Sequence, residues 1–258
     1  MKKLLLFSLV VEEAQESPIP APTPAPAPVP VVLLQDSFNV PDGIITNEYA
    51  YWNPTLEAKR SPLWEMTSGS LFAKDQTGWT GVPDNVGPNM LSSNGNNSAV
   101  FRLTSKADFK DTELTFDLKT KGFLSTSSTP EVAWDGVHIF LRYISQYHLY
   151  YASINRRDNT CVIKKKVPGG TSNSGTYHDL TAYTPHTFKL GEWQKIRATV
   201  MNHADNSVTI QLFADGIMIV EAKDDGTKGG APITNAGKVG VRGDNCEFFI
   251  DAFTIKTL

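Results

Sequence analysis

Hydrophobic and polar residues alternate along many short segments of the chain, and this pattern predicts β-strands. Apolar side chains occupy every second position of residues 114–118 and again of residues 208–212. The dipeptide Asp215-Gly216 separates the second of these segments from another apolar one. Asp-Gly between two alternating segments is typical of a two-residue β-hairpin, so we predict a hairpin at this point.

The same reading extends over the chain from residue 32 to its end. Gly, Pro and Asn turn signals recur between the segments, and no long segment has the 3.6-residue period of a helix. We therefore predict an all-β fold, an antiparallel two-sheet sandwich. The predicted strands cover residues 32–39, 63–67, 70–74, 99–104, 112–121, 136–144, 148–155, 161–167, 193–202, 207–214, 217–222, 238–242 and 247–256.

The middle of the chain, residues 135–166, combines this alternation with an unusual number of His, Tyr, Arg and Lys residues. One parity of its first strand is apolar, whereas the other carries His138 and Arg142. In the next strand, Tyr151 and Asn155 share one parity. Because alternate side chains point to opposite faces of a strand, we expect one face to pack and the other to be displayed. A displayed face of aromatic rings and cationic donors suits a hydroxylated or acidic ligand.

The first 31 residues differ from the rest. Residues 1–17 begin with a basic stretch and a short apolar run, as a secretory signal does, but no clear cleavage site follows. An uncleaved peptide that docks onto a partner is the alternative. The apolar run is too short to span a membrane. Residues 18–31 alternate Pro with Ala and other residues, which predicts an extended linker to a domain at residues 32–258. We expect a protein that is secreted or displayed on a cell or virion surface.

Composition narrows the choice of partner. The 258 residues carry a net charge of −3, and the pI is near 6.0, so no overall positive field favours nucleic acid or an anionic membrane. The hydrophobic fraction of 40% is sufficient for a large core. Two cysteines, Cys161 and Cys246, are too few for a disulfide framework. Buried free thiols and a single bridge between neighbouring strands both remain open.

Several motifs near the C-terminus carry a resemblance to a known family. They are W-x-x-I-x-A-x-V at residues 193–200, the hairpin around Asp215, G-x-V-G-V at residues 237–241 and F-x-x-D-x-F at residues 248–253. With these motifs, residues 32–258 resemble the concanavalin A-like lectin/glucanase superfamily, above all its laminin-G-like modules. The resemblance implies a jelly roll of two curved sheets that holds ligands on the concave sheet or on its rim loops. Lectins, glycan-binding modules, glycoside hydrolases and polysaccharide lyases share this fold, so the fold alone does not select a function.

Glycan binding without catalysis is the function that we favour. The glucanase branch of the superfamily carries a Glu-x-Asp-x-Glu strand, and the sequence contains no such triplet. Aromatic rings can stack on the apolar faces of sugars, while Arg and Asn bind hydroxyl or carboxylate groups. The predicted ligand-binding residues are Trp134, His138, Arg142, Tyr151, Asn155, Arg156 and Arg242.

Two other functions remain open. A polysaccharide lyase acting on a uronate-containing glycan would use His138, Arg142 and Tyr151 as catalytic residues, and a divergent glycoside hydrolase is a related alternative. The lyases' Gln-x-His strand is present only as Gly136-Val137-His138, and their Tyr-x-Lys-x-Gly motif is missing. The other function is a structural or adhesive decoration of a virion or cell surface, docked through the N-terminal peptide.

The resemblance also implies a structural metal in some members. We expect that no cofactor is required, but Asp36 on the first strand and Asp251 on the last would be neighbours in this fold and could hold a structural Ca²⁺. The three consecutive lysines at residues 164–166 are too few for a nucleic-acid site. Strand alternation divides them between two faces, so we expect them to form a solvated edge.

Overall fold

The computed structural model describes residues 29–52, 54, 58–82, 84–85 and 99–258. The N-terminal peptide at residues 1–17 and most of the predicted linker lie outside these residues. The strands are β1 Val32–Asp36, β2 Gly43–Asn47, β3 Trp64–Ser68, β4 Ser70–Lys74, β5 Thr77–Trp79, β6 Val100–Ser105, β7 Thr112–Phe123, β8 Gly136–Ser145, β9 His148–Ile154, β10 Thr160–Ser172, β11 Gly175–Asp179, β12 Thr184–Pro185, β13 Trp193–Asn202, β14 Val208–Ala214, β15 Ile217–Asp224, β16 Lys238–Asp244 and β17 Cys246–Thr257. A short helix, α1, covers Tyr49–Trp52.

These strands form two sheets with antiparallel pairing. The first sheet has the order β15-β14-β13-β7-β17-β5-β4-β2, and β1 pairs with β17. The second sheet has the order β11-β10-β9-β8-β16-β6-β3, and β12 pairs with β10. The prediction of an all-β, two-sheet jelly-roll sandwich of the concanavalin A-like type is confirmed.

The hydrophobic core lies between the two sheets. Strand β7 of the first sheet contributes Leu114 and Phe116, and β8 of the second contributes Val137 and Ile139, all fully buried. Each of these residues belongs to the apolar parity of its strand. Burial of one such side chain contributes about 1.5–3 kcal/mol relative to exposure, so the alternation by itself fixes which face of each sheet turns inward.

Each predicted strand is present in the structure, with its ends shifted by a few residues. The pattern missed β2, β5, β11 and β12. β5 and β12 have only three and two residues, too few to show alternation, and the sequences of β2 and β11 do not alternate clearly. The hairpin between β14 and β15 has φ values of 51° at Asp215 and 82° at Gly216. Two successive positive φ angles are those of the type I′ turn that Asp-Gly favours, which confirms this prediction.

Burial settles the state of the two cysteines. Cys161 and Cys246 are both buried free thiols. Burial raises the pKa of Cys161 to about 12 and moves the pKa of Cys246 upward as well, so both thiols stay protonated. Within the described part of the chain, no helix has the length and hydropathy needed to cross a membrane.

Candidate functional site

The face of the second sheet that points away from the core carries a separate group of buried residues, three aromatic and one leucine. Phe140, Tyr143, Leu149 and Tyr151 form a cluster of their own on β8 and β9, apart from the main core. The ring of Tyr151 lies 5.7 Å from that of Tyr177 on β11, centroid to centroid. Because β9, β10 and β11 are consecutive neighbours in the sheet, these rings form a continuous floor across three strands.

A groove of about 430 Å³ lies over this floor, and we call it the outer-face groove. Its volume is within the range of about 300–1,000 Å³ that is usual for small-molecule sites. Strands supply its floor, and the tip of the β10–β11 hairpin, residues 171–173, contributes hydroxyl and amide groups to its rim. The other lining residues are the aromatic Trp134, Tyr151, Tyr177 and Tyr183, the cationic Arg156, Lys164, Lys166 and Arg242, and Ser153 and Asp244.

Asp244, the last residue of β16, is held in place by two neighbours. Its Oδ1 accepts a hydrogen bond of 2.8 Å from Nε of Arg242 and forms an ion pair with Nη2 of the same residue at 2.8 Å. Its Oδ2 lies 3.2 Å from Nε2 of His138. Burial disfavours the charged carboxylate, but Arg242 and His138 outweigh this effect, and the pKa of Asp244 lies below its usual range. Asp244 is therefore a fixed acceptor in the groove and a poor base.

His138 lies beneath the floor and does not line the groove. Its side chain is fully buried and stacks on Tyr151 with a centroid distance of 4.5 Å. Nδ1 of His138 is 3.1 Å from Oγ of Ser153, and Nε2 faces Asp244. Burial lowers the pKa of His138 despite the nearby carboxylate, so the ring is neutral at pH 7. His138 thus positions Tyr151, Ser153 and Asp244, and cannot itself reach a ligand in this arrangement.

Tyr183 stands at the opposite rim between two cations. Nζ of Lys164 donates a 2.8 Å hydrogen bond to its hydroxyl, and the guanidinium of Arg156 lies 5.1 Å from its ring centroid. Arg156 is in turn paired with Asp158, and Lys164 with Asp179. These contacts fix the ring of Tyr183, which is 46% exposed, at the edge of the groove.

Lys165 and Lys166 correct the expectation of a solvated lysine edge, because both side chains are buried. Lys165 points into the core side, where its Nζ lies 2.8 Å from Oδ2 of Asp224. Lys166 points to the groove, where its Nζ donates to the carbonyl of Gln146 at 2.8 Å and lies 4.6 Å from the ring centroid of Tyr177. Burial, and then the charges of neighbouring arginines, lower the pKa of Lys166 to about 8.

Two of the predicted binding residues lie away from the groove. Arg142 and Asn155 have positive φ values, 51° and 49°, which break the alternation at the ends of β8 and β9. The guanidinium of Arg142 is fully buried, donates to three backbone carbonyls and pairs with Asp111 at 2.9 Å. Nδ2 of Asn155 donates to Thr120 on the first sheet. The parity argument that placed both residues with His138 therefore fails, and nothing in their placement supports a binding or lyase role.

The structure brings together Trp134, Tyr151, Arg156 and Arg242, with His138 directly below them. Several lining residues were missed by sequence reasoning. Lys166 shares the parity of Lys164 on β10, and pairing of β10 with β9 places that parity beside Tyr151. That register could have identified Lys166. Tyr177 and Tyr183 lie on or beside strands that the pattern did not predict. Missed lining residues are Ser153, Lys164, Lys166, Thr171, Ser172, Asn173, Tyr177, Tyr183 and Asp244.

The two aspartates proposed for calcium lie on neighbouring strands, since β1 pairs with β17. However, Oδ1 of Asp36 accepts from the amide of Phe38, and Oδ2 accepts from the indole of Trp64 at 2.6 Å. Asp251 accepts from its neighbour, Ala252. Among the described residues, no group of three or more His, Cys, Asp or Glu side chains could hold a metal ion. The donor set does not fit a calcium ion, and this prediction gains no support.

Comparison with known proteins identifies one family and several solved structures with the same fold. The family model described as the 3-keto-alpha-glucoside-1,2-lyase-like domain matches residues 67–256. No curated protein matches the sequence. The family match and the two-sheet fold together place the chain in the concanavalin A-like jelly-roll superfamily that its motifs resemble.

Solved structures share the fold at low sequence identity. The carbohydrate-binding module CBM66 from Bacillus subtilis has a TM-score of 0.51 at 10% identity, covering 75% of this chain and 95% of that one. A Bacillus subtilis protein of unknown function with a galectin-like fold has a TM-score of 0.55 at 12% identity, covering 87% and 94%. A LamA variant from Z. galactanivorans in complex with laminaritriose and laminaritetraose has a TM-score of 0.56 at 13% identity, covering 88% and 98%.

Proposed function

This chain belongs to the 3-keto-alpha-glucoside-1,2-lyase-like domain family, and from this premise and the geometry of the groove we propose that it binds a saccharide in the outer-face groove. The observation that carries the proposal is the combination of rings and polar groups in one depression. Tyr151 and Tyr177 form an aromatic floor, and Trp134 and Tyr183 stand at the rim. The apolar face of a pyranose ring can stack on such surfaces.

The polar groups supply the contacts that sugar hydroxyls require. Asp244 is a fixed acceptor, and Arg242 and Lys166 are donors in the same depression. A carbohydrate-binding module and a protein determined with laminari-oligosaccharides share the fold, which agrees with a saccharide ligand. We further propose that the domain acts outside the cytoplasm or on a particle surface, tethered by its Pro-rich segment.

Retention of the protein in native gels that contain polysaccharides tests this function. We expect slower migration in at least one of a set of gels containing neutral or acidic glycans. Trp134→Ala should abolish the retardation without unfolding the domain, because the Trp134 residue is 55% exposed. Trp193→Ala is the matched control: Trp193 is 43% exposed but lies on the first sheet, beside Lys119. Migration unchanged in every gel, or equal loss in both variants, would overturn the proposal.

A lyase reaction is the second candidate, and Lys166 is the observation that favours it. With a pKa of about 8, its amine is partly neutral near physiological pH and can accept a proton. In a 3-keto glucoside, the proton on C2 is acidified by the adjacent carbonyl. Its removal would form a C1–C2 double bond as the C1–O bond breaks, and the departing oxygen would take a proton. The protonated Lys166 formed in the first step would supply that proton, because burial raises the pKa of Tyr151 well above its usual range and makes its hydroxyl a weak acid.

Release of the aglycone from a 3-keto-α-glucoside tests this reaction. Lys166→Arg keeps a positive charge but removes the base, so it should abolish release while saccharide retention in gels persists. Release that continues in the Lys166→Arg variant would exclude Lys166 as the base. No release by the unaltered protein from 3-keto substrates would leave binding as the function of the groove.

A further inference from the structure

Two buried cations of the second sheet differ from the others in lacking a carboxylate partner. Among buried cations, Arg142, Arg156 and Lys165 each form an ion pair. Arg102, which is 9% exposed, and Lys166, which is 1% exposed, form none with any described residue. Buried charges without a partner destabilise a fold, so such a pair calls for a functional explanation.

Arg102 and Lys166 meet at Gln146. Nζ of Lys166 donates to the backbone carbonyl of Gln146 at 2.8 Å, and Nη1 of Arg102 makes a long contact of 3.4 Å with its side-chain Oε1. Another contact of 3.4 Å joins Nη1 of Arg102 to Oγ1 of Thr67. Nε of Arg102 is buried and has no hydrogen-bond partner. Most of the donors of these two side chains are therefore unused.

The electrostatic surroundings add to the excess of positive charge. Burial and the nearby charge of Arg242 lower the pKa of Arg102, and burial, followed by the charges of Arg242 and Arg102, lowers the pKa of Lys166. The carboxylate of Asp244 is already engaged by Arg242 and His138. The three cations thus share one carboxylate, and the Arg102–Lys166 pair is left uncompensated.

The pair also lies where two depressions meet. Lys166 lines the outer-face groove, whereas Arg102 lines a neighbouring depression of about 260 Å³ with Tyr143 and Gln146. Gly175 packs closely against the lysine stem: a Cβ atom there would lie 2.7 Å from Cε of Lys166. Each cation therefore borders one of two depressions, and Gln146, which both cations contact, joins them.

We propose that Arg102 and Lys166 form an anion-binding subsite for a carboxylate or sulfate substituent on a saccharide that extends from the outer-face groove into the neighbouring depression. This inference rests on the proposed saccharide binding and names its ligand class as acidic. The planar guanidinium of Arg102 offers donors that match a carboxylate or sulfate, and Lys166 adds a point charge on the other side. A bound anion would remove the repulsion that both cations experience in the free protein.

Native gels that contain dextran, dextran sulfate or alginate test the inference with the full chain. Dextran sulfate differs from dextran by its sulfate groups, and alginate carries carboxylates, so the three gels separate neutral, sulfated and uronate ligands. We expect retention by at least one acidic polymer. Arg102→Met should weaken it about 10- to 100-fold, as expected for loss of a charge-assisted contact. Arg197→Met, which makes the same change of charge on the first sheet, should leave it unchanged.

The outcomes separate this inference from the function on which it rests. Equal retention by dextran and the acidic polymers, unchanged in Arg102→Met, would overturn the subsite and leave saccharide binding intact. Equal weakening by Arg102→Met and Arg197→Met would reduce the effect to net charge and also overturn the subsite. No retention by any of the polymers, with no retention in the wider glycan set, would overturn both. Thermal unfolding of each variant shows that a loss of retention is not a loss of folding.

Discussion

Lys165 and Lys166 are consecutive, both buried and on opposite faces of β10, which makes them a matched pair for testing how buried charges act in this fold. We predict that Lys165→Met strongly destabilises the protein, whereas Lys166→Met does not. Methionine preserves most of the unbranched stem in both positions. The comparison therefore isolates the charged amine from the packing of the side chain.

The magnitude for Lys165 follows from its partners. Its Nζ contacts both oxygens of Asp224, at 3.0 and 2.8 Å, and donates to the carbonyl of Gly230 at 2.7 Å. Asp224 is itself buried and also accepts from the hydroxyl of Tyr150. Removing the amine leaves this carboxylate without its counter-ion. Loss of one partner of a buried ion pair typically costs about 3–5 kcal/mol, and we expect the free energy of unfolding to fall by that amount.

The magnitude for Lys166 has two opposing parts. Its pKa falls from 10.5 to about 8, and one pKa unit corresponds to about 1.4 kcal/mol, so holding the charge costs at most about 3 kcal/mol. Because Lys166 is only 1% exposed, water screens this cost little. The hydrogen bond to the carbonyl of Gln146 contributes about 1 kcal/mol in the other direction. Lys166→Met should therefore leave stability unchanged or raise it by up to about 2 kcal/mol.

Urea unfolding of both variants, followed by circular dichroism, measures the two changes. The pH dependence has a definite sign. The charged form of Lys166 is disfavoured in the folded state below pH 8, and this cost disappears as pH rises towards 10.5, where the unfolded lysine also loses its proton. Any advantage of Lys166→Met should shrink over that interval. A loss above about 2 kcal/mol in Lys166→Met would refute the reasoning, because Lys166 would then be a structural cation like Lys165.

Three further predictions concern other buried groups. Arg142→Met should lower the free energy of unfolding, measured in urea, by about 3–5 kcal/mol, because it leaves several backbone carbonyls and Asp111 without their donor. Saccharide affinity should not change at a temperature where the variant is folded. The free energy of unfolding should fall as pH drops below about 6.5, because burial lowers the pKa of His138 and the ring takes up a proton first in the unfolded chain. His138→Gln should reduce this pH dependence, measured by urea unfolding between about pH 5 and pH 7. Cys161 and Cys246 should react with a thiol reagent only after unfolding, and rapid reaction of the native protein would contradict their burial.

The fold was largely predictable because its signal is local. Alternation along residues 114–118 determines which side chains face inward, and Asp215-Gly216 determines a turn, without knowledge of the rest of the chain. Short edge elements such as β11 were missed because its five residues, Gly-Thr-Tyr-His-Asp, do not alternate between apolar and polar side chains. Their position depends on pairing with β10, which is a long-range property.

The site was predictable only where alternation held. Tyr151 and Arg242 keep the parity of their strands and reach the groove. Arg142 and Asn155 do not, because a positive φ at each residue turns its side chain toward other elements, and sequence alone does not reveal such a bulge. Arg102 was missed for another reason: its strand is buried along its whole length, so nothing local distinguishes a cation that meets Lys166 from one that is paired.

The division of the groove between strands and a hairpin tip has a practical consequence for engineering. Tyr151 and Arg242 lie on β9 and β16, two interior strands of the second sheet, whereas residues 171–173 lie at the exposed end of the β10–β11 hairpin. Side chains at an exposed hairpin tip can be exchanged with little effect on folding, while those on central strands cannot. A library randomised at Thr171 and Ser172, with Asn173 retained because its φ is 48°, should consequently yield stable proteins with altered ligand preference, selected on an unchanged scaffold.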